Sequence, residues 1–153
     1  MSLASRLEEL GLTLPPPPKA VAAYIPAIIS GNWCLTSGQL PFKEGHLIAE
    51  GRVGKEVSTE AAYAAAQQCA LNALSVAADV AGGLDRLLRV VKVVGFVQSD
   101  PDFHGQPQVV NGASELLQKI FGDQGRHARS AVGTNALPLN AAVEVEIMFE
   151  VQG

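Results

Sequence analysis

The chemistry open to this chain turns on one arginine and a set of carboxylates near its C-terminal end. Arg129 sits inside an apolar run, Ala128 to Val132, and Glu144, Glu146 and Glu150 interrupt a later one, Val143 to Val151. A guanidinium is always charged and offers a planar fork of donors that matches a carboxylate. Two readings of Arg129 therefore stand side by side: a clamp for a substrate carboxylate, or a salt bridge to one of the strand glutamates. For the glutamates the plain reading is a solvated sheet face. His46, His104 and His127 show no HxxxH or HxH spacing and do not pair with Cys34 or Cys69, so no metal site is expected. Ser37, in Thr36-Ser37-Gly38-Gln39, is either a turn hydroxyl bonded to backbone or a binding group. No G-x-S-x-G elbow supports a nucleophilic serine. Gly54-Lys55 lacks the upstream glycine spacing and the strand-to-helix setting of a phosphate loop and is set aside.

The elements that must position these residues follow from periodicity. Val143, Val145, Ile147, Phe149 and Val151 alternate with Glu144, Glu146, Met148 and Glu150, which is the pattern of a strand with one buried face. Asn135, Pro138 and Asn140 mark a turn before it. The runs 128–132 and 143–151 are thus expected to form a hairpin that brings Arg129 close to the Glu144 face. Upstream, Val21 to Ile29 and Trp33 to Leu40 read as strands joined at Ser30-Gly31-Asn32, and Leu47 to Val53 as a short strand. Thr59 to Ala81 is a long helix, capped by Ser58 or Thr59 and stopped by Gly82-Gly83, with an alanine ridge for close packing. Arg89 to Val97 is a valine-rich strand covered on both faces. Pro107 to Phe121 is a second amphipathic helix. The order predicts an α+β fold, with two helices packed on one face of a mainly antiparallel sheet. The other face would carry residues such as Trp33 and Met148, which an oligomer interface can cover. Residues 1–18 are expected to be a separate N-terminal piece: a short helix from Ser2 to Gly11, with Ser5 and Glu8 as a capping box, then the stiff connector Pro15 to Pro18. Residues 19–153 are expected to form a single domain.

The bulk composition narrows the partners. With 153 residues, 48% hydrophobic and 17% charged, the chain can bury a real core, and its low charge favours a homo-oligomer. Its net charge is −4, and only Arg126, His127 and Arg129 cluster among the basic residues, which argues against a nucleic-acid face. The two cysteines lie in apolar runs and read as buried free thiols. Neither a signal-like start nor a membrane-length apolar run is present, so a cytoplasmic location without membrane contact is expected.

Several separated motifs resemble one family. Trp33-Cys-Leu-Thr-Ser-Gly-Gln-Leu-Pro41, Val90-Val-Lys-Val-Val-Gly-Phe-Val97, Asp102-Phe103, Asn111, Ala128-Arg-Ser130, Leu137-Pro138 and Val143-Glu-Val-Glu146 follow in order the pattern of the Rid/YjgF family, also labelled endoribonuclease L-PSP-like. The likeness runs from about Tyr24 to the C-terminus. It implies a chorismate-mutase-like α+β fold and a homotrimer with sites in the clefts between subunits. It also implies hydrolytic deamination of reactive 2-imino or 2-enamino acids to 2-oxo acids and ammonia, with no cofactor or metal and a small carboxylate as substrate. On the matching positions, Arg129 would hold the carboxylate and Glu144 the attacking water, while Tyr24, Ser37 and Asn111 would line the pocket. The sequence departs from the pattern at Ala22-Ala23, at His127 in place of a proline, at Ala131 in place of a frequent cysteine and at Ser114 in place of a frequent tyrosine. His104 to Gln108 is a small insertion. With its N-terminal extension, the chain resembles a longer, less characterised branch. A non-catalytic trimer that binds a carboxylate metabolite or a partner protein, and an endoribonuclease, are the alternatives.

Overall fold

The computed structural model describes residues 1–18 and 23–153. In chain order these form α1 (Leu3–Glu9), the hairpin β1 (Ala27–Ser30) and β2 (Trp33–Thr36), the short pair β3 (Phe42–Lys43) and β4 (His46–Leu47), and α2 (Thr59–Ala81). Then come β5 (Leu87–Gln98), α3 (Gln106–Phe121), β6 (Ala128–Thr134) and β7 (Val143–Val151). Val21 and Ala22, expected at the start of the first strand, lie outside the described residues.

The main sheet has the order β1-β2-β7-β5-β6. Every pairing is antiparallel except β5 with β6. The alternation in β7 is realised as read: its five apolar residues are buried and the residues between them half-buried. The helices α2 and α3 pack on that buried side, and α2 lies directly against β7 and α3. Ser58 caps α2 by accepting from the Ala61 N–H, and Gly82 ends it in the left-handed conformation.

Close packing fixes the height of α3 over the sheet. A Cβ on Gly112 would collide with the Tyr63 carbonyl of α2, and one on Gly95 of β5 would meet the Val110 side chain. Both contacts need glycine. The first seats α3 close against α2 and the second lowers it onto β5, so that Asn111 and Ser114 of α3 reach Arg129 on the neighbouring β6.

Three expectations are corrected. Strands 128–132 and 143–151 are not a hairpin: β6 pairs in parallel with β5, and β7 lies on the opposite side of β5. The segment between them crosses over the end of β5, and the Gln98 side chain, 2% exposed, holds it there. Gln98 Oε1 accepts from the Leu137 N–H, and Nε2 donates to Asn140 Oδ1 and to the Gly51 carbonyl. A buried amide that satisfies loop backbone in this way stabilises the crossover. Next, β5 is covered on one face only: Val90, Val93 and Val97 are buried under the helices, whereas Leu88 on the strand is exposed. Finally, α1 is capped by Ser2, whose hydroxyl accepts from the Ser5 N–H, rather than by a Ser5–Glu8 box. Its Leu7 joins the core.

Candidate functional site

Pairing along β5 decides where each side chain points. Gly95 is directed at Val110, so Val93, Gly95 and Val97 face the helices and Lys92, Val94 and Phe96 face away. Arg129 pairs with Val93 and therefore points to the helix side, while Glu144 pairs with Phe96 and points to the open side. A single chain thus separates the two residues onto opposite faces of the sheet.

On the helix side, Arg129 is tightly held. Its Nη1 donates to Asn111 Oδ1 at 2.8 Å and to Ser114 Oγ at 3.2 Å. Asn111 and Ser114 are three residues apart on α3, so they share one face of the helix. Ser114, 6% exposed, also bonds His127 Nε2 at 2.8 Å, and His127 Nδ1 lies 2.6 Å from the Gly125 carbonyl. A carbonyl only accepts, so Nδ1 carries the proton. Nε2 must then accept from the Ser114 hydroxyl, whose oxygen is left to accept from Arg129. The chain Gly125–His127–Ser114–Arg129 is therefore polarised in one direction. Burial pushes the His127 pKa down, the Gly125 bond opposes this, and the Arg129 charge lowers it further, so the ring is neutral at pH 7. No carboxylate lies within ion-pair distance of Arg129 among the described residues, where the ion pair found is Arg6–Glu9 at 3.9 Å. The salt-bridge reading of Arg129 is thereby set aside for the isolated chain. Both of its hydrogen bonds to α3 are made by Nη1.

On the open side, the Glu144 carboxylate packs against Gly38 so closely that a Cβ there would overlap Oε2. Its pKa is raised, first by burial and then by Glu146. Ser37 donates its hydroxyl to the Ile25 carbonyl at 2.7 Å, and its N–H to the Pro26 carbonyl. The serine thereby ties the Tyr24-Ile25-Pro26 segment to the end of β2, which is the turn reading of that hydroxyl. Tyr24 is 63% exposed beside it. The open face also carries Ile28, Trp33 and Leu35, all exposed, and Met148, half-buried.

The structure thus gathers the sequence-predicted residues into two separate clusters, Arg129 with Asn111 on one face and Glu144 beside Gly38, next to the Ser37–Ile25 contact, on the other. Sequence reasoning missed Gly38, although it follows Ser37 directly. It registered Ser114 and His127 as departures and not as members of the site. The cysteines are free and buried, with burial raising both thiols. Among the described residues no three His, Cys, Asp or Glu side chains cluster to hold a metal ion. Nor is any helix among them long and apolar enough to cross a membrane.

Residues 4–151 match the model of the YjgF/chorismate_mutase-like family of candidate endoribonucleases. The chain belongs to this family. The YjgF-like assignment extends to relatives along the whole length. Protein TCP17 of Trypanosoma cruzi is 41% identical over 149 residues, 97% of this chain and 93% of that one. The crystal structure of Atu1372 from Agrobacterium tumefaciens, a protein of unknown function, superposes with a TM-score of 0.90 at 45% identity, covering 98% of this chain and 92% of that one. A candidate endoribonuclease from Shewanella oneidensis superposes with a TM-score of 0.94 at 32% identity, covering 99% and 100%. These two structures match this YjgF-like chain from end to end, so its N-terminal extension is part of the shared architecture.

Proposed function

We propose that the protein hydrolyses reactive 2-imino and 2-enamino acids to 2-oxo acids and ammonia, at sites completed between copies of the chain in a homotrimer. The observation that carries this reading is Arg129, anchored through one nitrogen by Asn111 and Ser114 and paired with no acid among the described residues. Such an arginine is a preorganised receptor for a carboxylate. Because Glu144 faces the opposite side of the sheet, the two residues meet only if the β6–α3 edge of one copy lies on the open face of another. The exposed Ile28, Trp33 and Leu35 on that face favour such a partner.

In the cleft the substrate carboxylate rests on Arg129. An enamine first takes a proton at C3 to become the iminium. Glu144 holds a water and accepts its proton as the oxygen attacks C2, and its raised pKa suits that exchange. The carbinolamine nitrogen then takes that proton back from Glu144, the C–N bond breaks as the C2 hydroxyl forms the carbonyl and gives its proton through Glu144 to solvent, which balances the proton taken up at C3, and ammonia and the 2-oxo acid leave. An iminium carbon is already electrophilic, so orientation and a held water supply most of what is needed. This chemistry calls for no cofactor or metal.

The test generates 2-aminoacrylate in a coupled assay and follows loss of the imine. Wild type should exceed buffer, and Arg129→Ala and Glu144→Gln should fall to background. A wild-type rate equal to buffer sinks the reading. The substitution of Ser114 and His127 for the family's usual residues keeps a second reading in play, a trimer that binds carboxylates without turnover. Melting shifts with 2-oxo acids in the absence of any hydrolysis would select it. The ribonuclease label of the family finds little support in a chain of net charge −4. Cleavage of RNA at low salt that Arg129→Ala abolishes would restore it.

A further inference from the structure

The polarised chain from Gly125 to Arg129 has room for one more proton. With the ring of His127 neutral, its Nδ1–H is given to the Gly125 carbonyl, Nε2 accepts from the Ser114 hydroxyl, and the Ser114 oxygen accepts from Arg129 Nη1. An imidazolium reverses one link, because both ring nitrogens then donate. Ser114 Oγ has two lone pairs, so it accepts from His127 and from Arg129 together. Its own hydrogen turns away, and a helical serine offers it to the carbonyl four residues back, here that of Val110. The anchor on Arg129 is therefore kept in both states. What changes is charge: the protonated chain places a second cation one hydroxyl away from the guanidinium.

The charged groups around the ring come from several elements. They are Arg129 on β6, Arg89 of β5, whose Nη2 donates to the Arg126 carbonyl, and Arg126 and Asp123 in and beside the turn Gly122–Gly125. Glu115 and Lys119 lie on α3, and Glu115 accepts from the Tyr63 hydroxyl of α2. Neither carboxylate is within ion-pair distance of His127. Burial and then the Arg129 charge hold the ring below its ordinary pKa, against the Gly125 bond. A carboxylate resting on Arg129 offsets that repulsion. We infer that the site takes up a proton as it takes up its carboxylate, with His127 as the acceptor and Ser114 as the link, so that anion binding tightens as the pH falls. The coupling is reciprocal: acid favours the loaded site, and the loaded site favours the imidazolium. The inference rests on the carboxylate-receptor reading of Arg129. His127 acts in it through Ser114 and Arg129, as a positioning residue.

The experiment measures binding of pyruvate, which stays ionised throughout, to the full chain by calorimetry from about pH 8 to 5.5, in buffers of different ionisation heat that report proton uptake. Wild type should bind about three- to tenfold more tightly at the acid end, as expected for one added charge at close range in a partly wet site, with uptake of up to about one proton per site. In His127→Gln, shown to be folded by its melting curve, the gain should shrink to about twofold or less. Glu144, whose pKa is also raised, is present in both proteins, so the difference belongs to the ring. Ring-proton NMR of wild type supplies a reading that needs no variant. The chain has three histidines, and His46 and His104 are exposed references. Saturating pyruvate should move the His127 titration up by about 0.5 to 1 pH unit and leave the other two in place. Pyruvate affinity equal at both ends of the range, a gain that folded His127→Gln retains in full, or a His127 titration that pyruvate does not move overturns the inference and leaves the carboxylate reading standing. Absence of pyruvate binding at every pH overturns both. If His127→Gln does not fold, the NMR titration decides alone.

Discussion

Removing the Ser114 hydroxyl tests whether Arg129 is held as the geometry requires. In Ser114→Ala the guanidinium keeps its bond to Asn111 at 2.8 Å and loses the one at 3.2 Å, while His127 Nε2 loses its donor at 2.8 Å. A bond to a charged group contributes about 1.5–3 kcal/mol and a neutral one about 1 kcal/mol. Arg129 and His127 are both half-buried and regain some water, so the net loss should be about 2 kcal/mol. For a domain of this size that corresponds to a fall in Tm of about 4–8 °C. His127→Ala removes only the neutral link and should cost about 1 kcal/mol. The double variant should cost little more than Ser114→Ala alone, because both changes cut the same chain. Kinetically, the loosened guanidinium should raise KM for imine hydrolysis about tenfold, equivalent to about 1.4 kcal/mol, with a smaller change in kcat. Calorimetry of the four proteins and initial rates under the same conditions check both parts. Melting of Ser114→Ala within about 1 °C of wild type, or strictly additive losses in the double variant, would refute the linkage from His127 to Arg129.

Three further outcomes follow from the same geometry. His127 has its pKa lowered by folding, so the unfolded chain takes up the proton first; stability should be full above the unfolded value near 6.5 and decline as pH falls through the folded value, a decline that His127→Gln should lack in melting curves from about pH 7.5 to 5. Gly38→Ala should push the Glu144 carboxylate aside and lower kcat at least tenfold, or about 1.4 kcal/mol in barrier; since Gly38 is exposed, its melting temperature should stay within a few degrees, about 1 kcal/mol or less. Gly112→Ala drives a methyl into the Tyr63 carbonyl, a backbone atom that cannot swing away, and should destabilise by about 3 kcal/mol or more in urea titrations.

Much of the fold is legible in the residue pattern, for reasons that differ by element. Helix α2 has both ends signalled by local chemistry, Ser58 and Gly82, and its bounds emerge as expected. The alternation in β7 reports burial directly, because period two has only one interpretation in a one-sided sheet. What periodicity does not carry is the identity of a strand's neighbour. The turn residues Asn135, Pro138 and Asn140 suggest a hairpin, and a turn is indeed there, but it leads over the end of β5 and back on its far side. The order strand, helix, strand from β5 through α3 to β6 was the better guide, since that connection typically joins parallel neighbours. The decisive stabiliser of the crossover, Gln98, closes an otherwise valine-rich strand, and only the three-dimensional arrangement brings the backbone of residues 51 and 137 to its amide.

The candidate site divides along the same line. Arg129 stands out in sequence because a charge in an apolar run needs a reason, and its partner Asn111 lies at a position the family pattern marks. Ser114 and His127 give no such signal. Each departs from the family's usual residue, a tyrosine on the helix and a proline before Ala128-Arg129-Ser130, and taken singly each counts against the family's pocket. In space they are bonded to each other, and one of them is bonded to Arg129. A tyrosine on this face of α3 would occupy the space that the small serine leaves for the imidazole, and a proline at 127 would offer neither ring nitrogen. Two departures that would be damaging one at a time are therefore complementary as a pair, and together they supply the second anchor of the arginine. The guanidinium is thus held through a pair of residues that depart from the pattern together, which is why Arg129 and not the surrounding pattern is the firmest guide to what the proposed site binds.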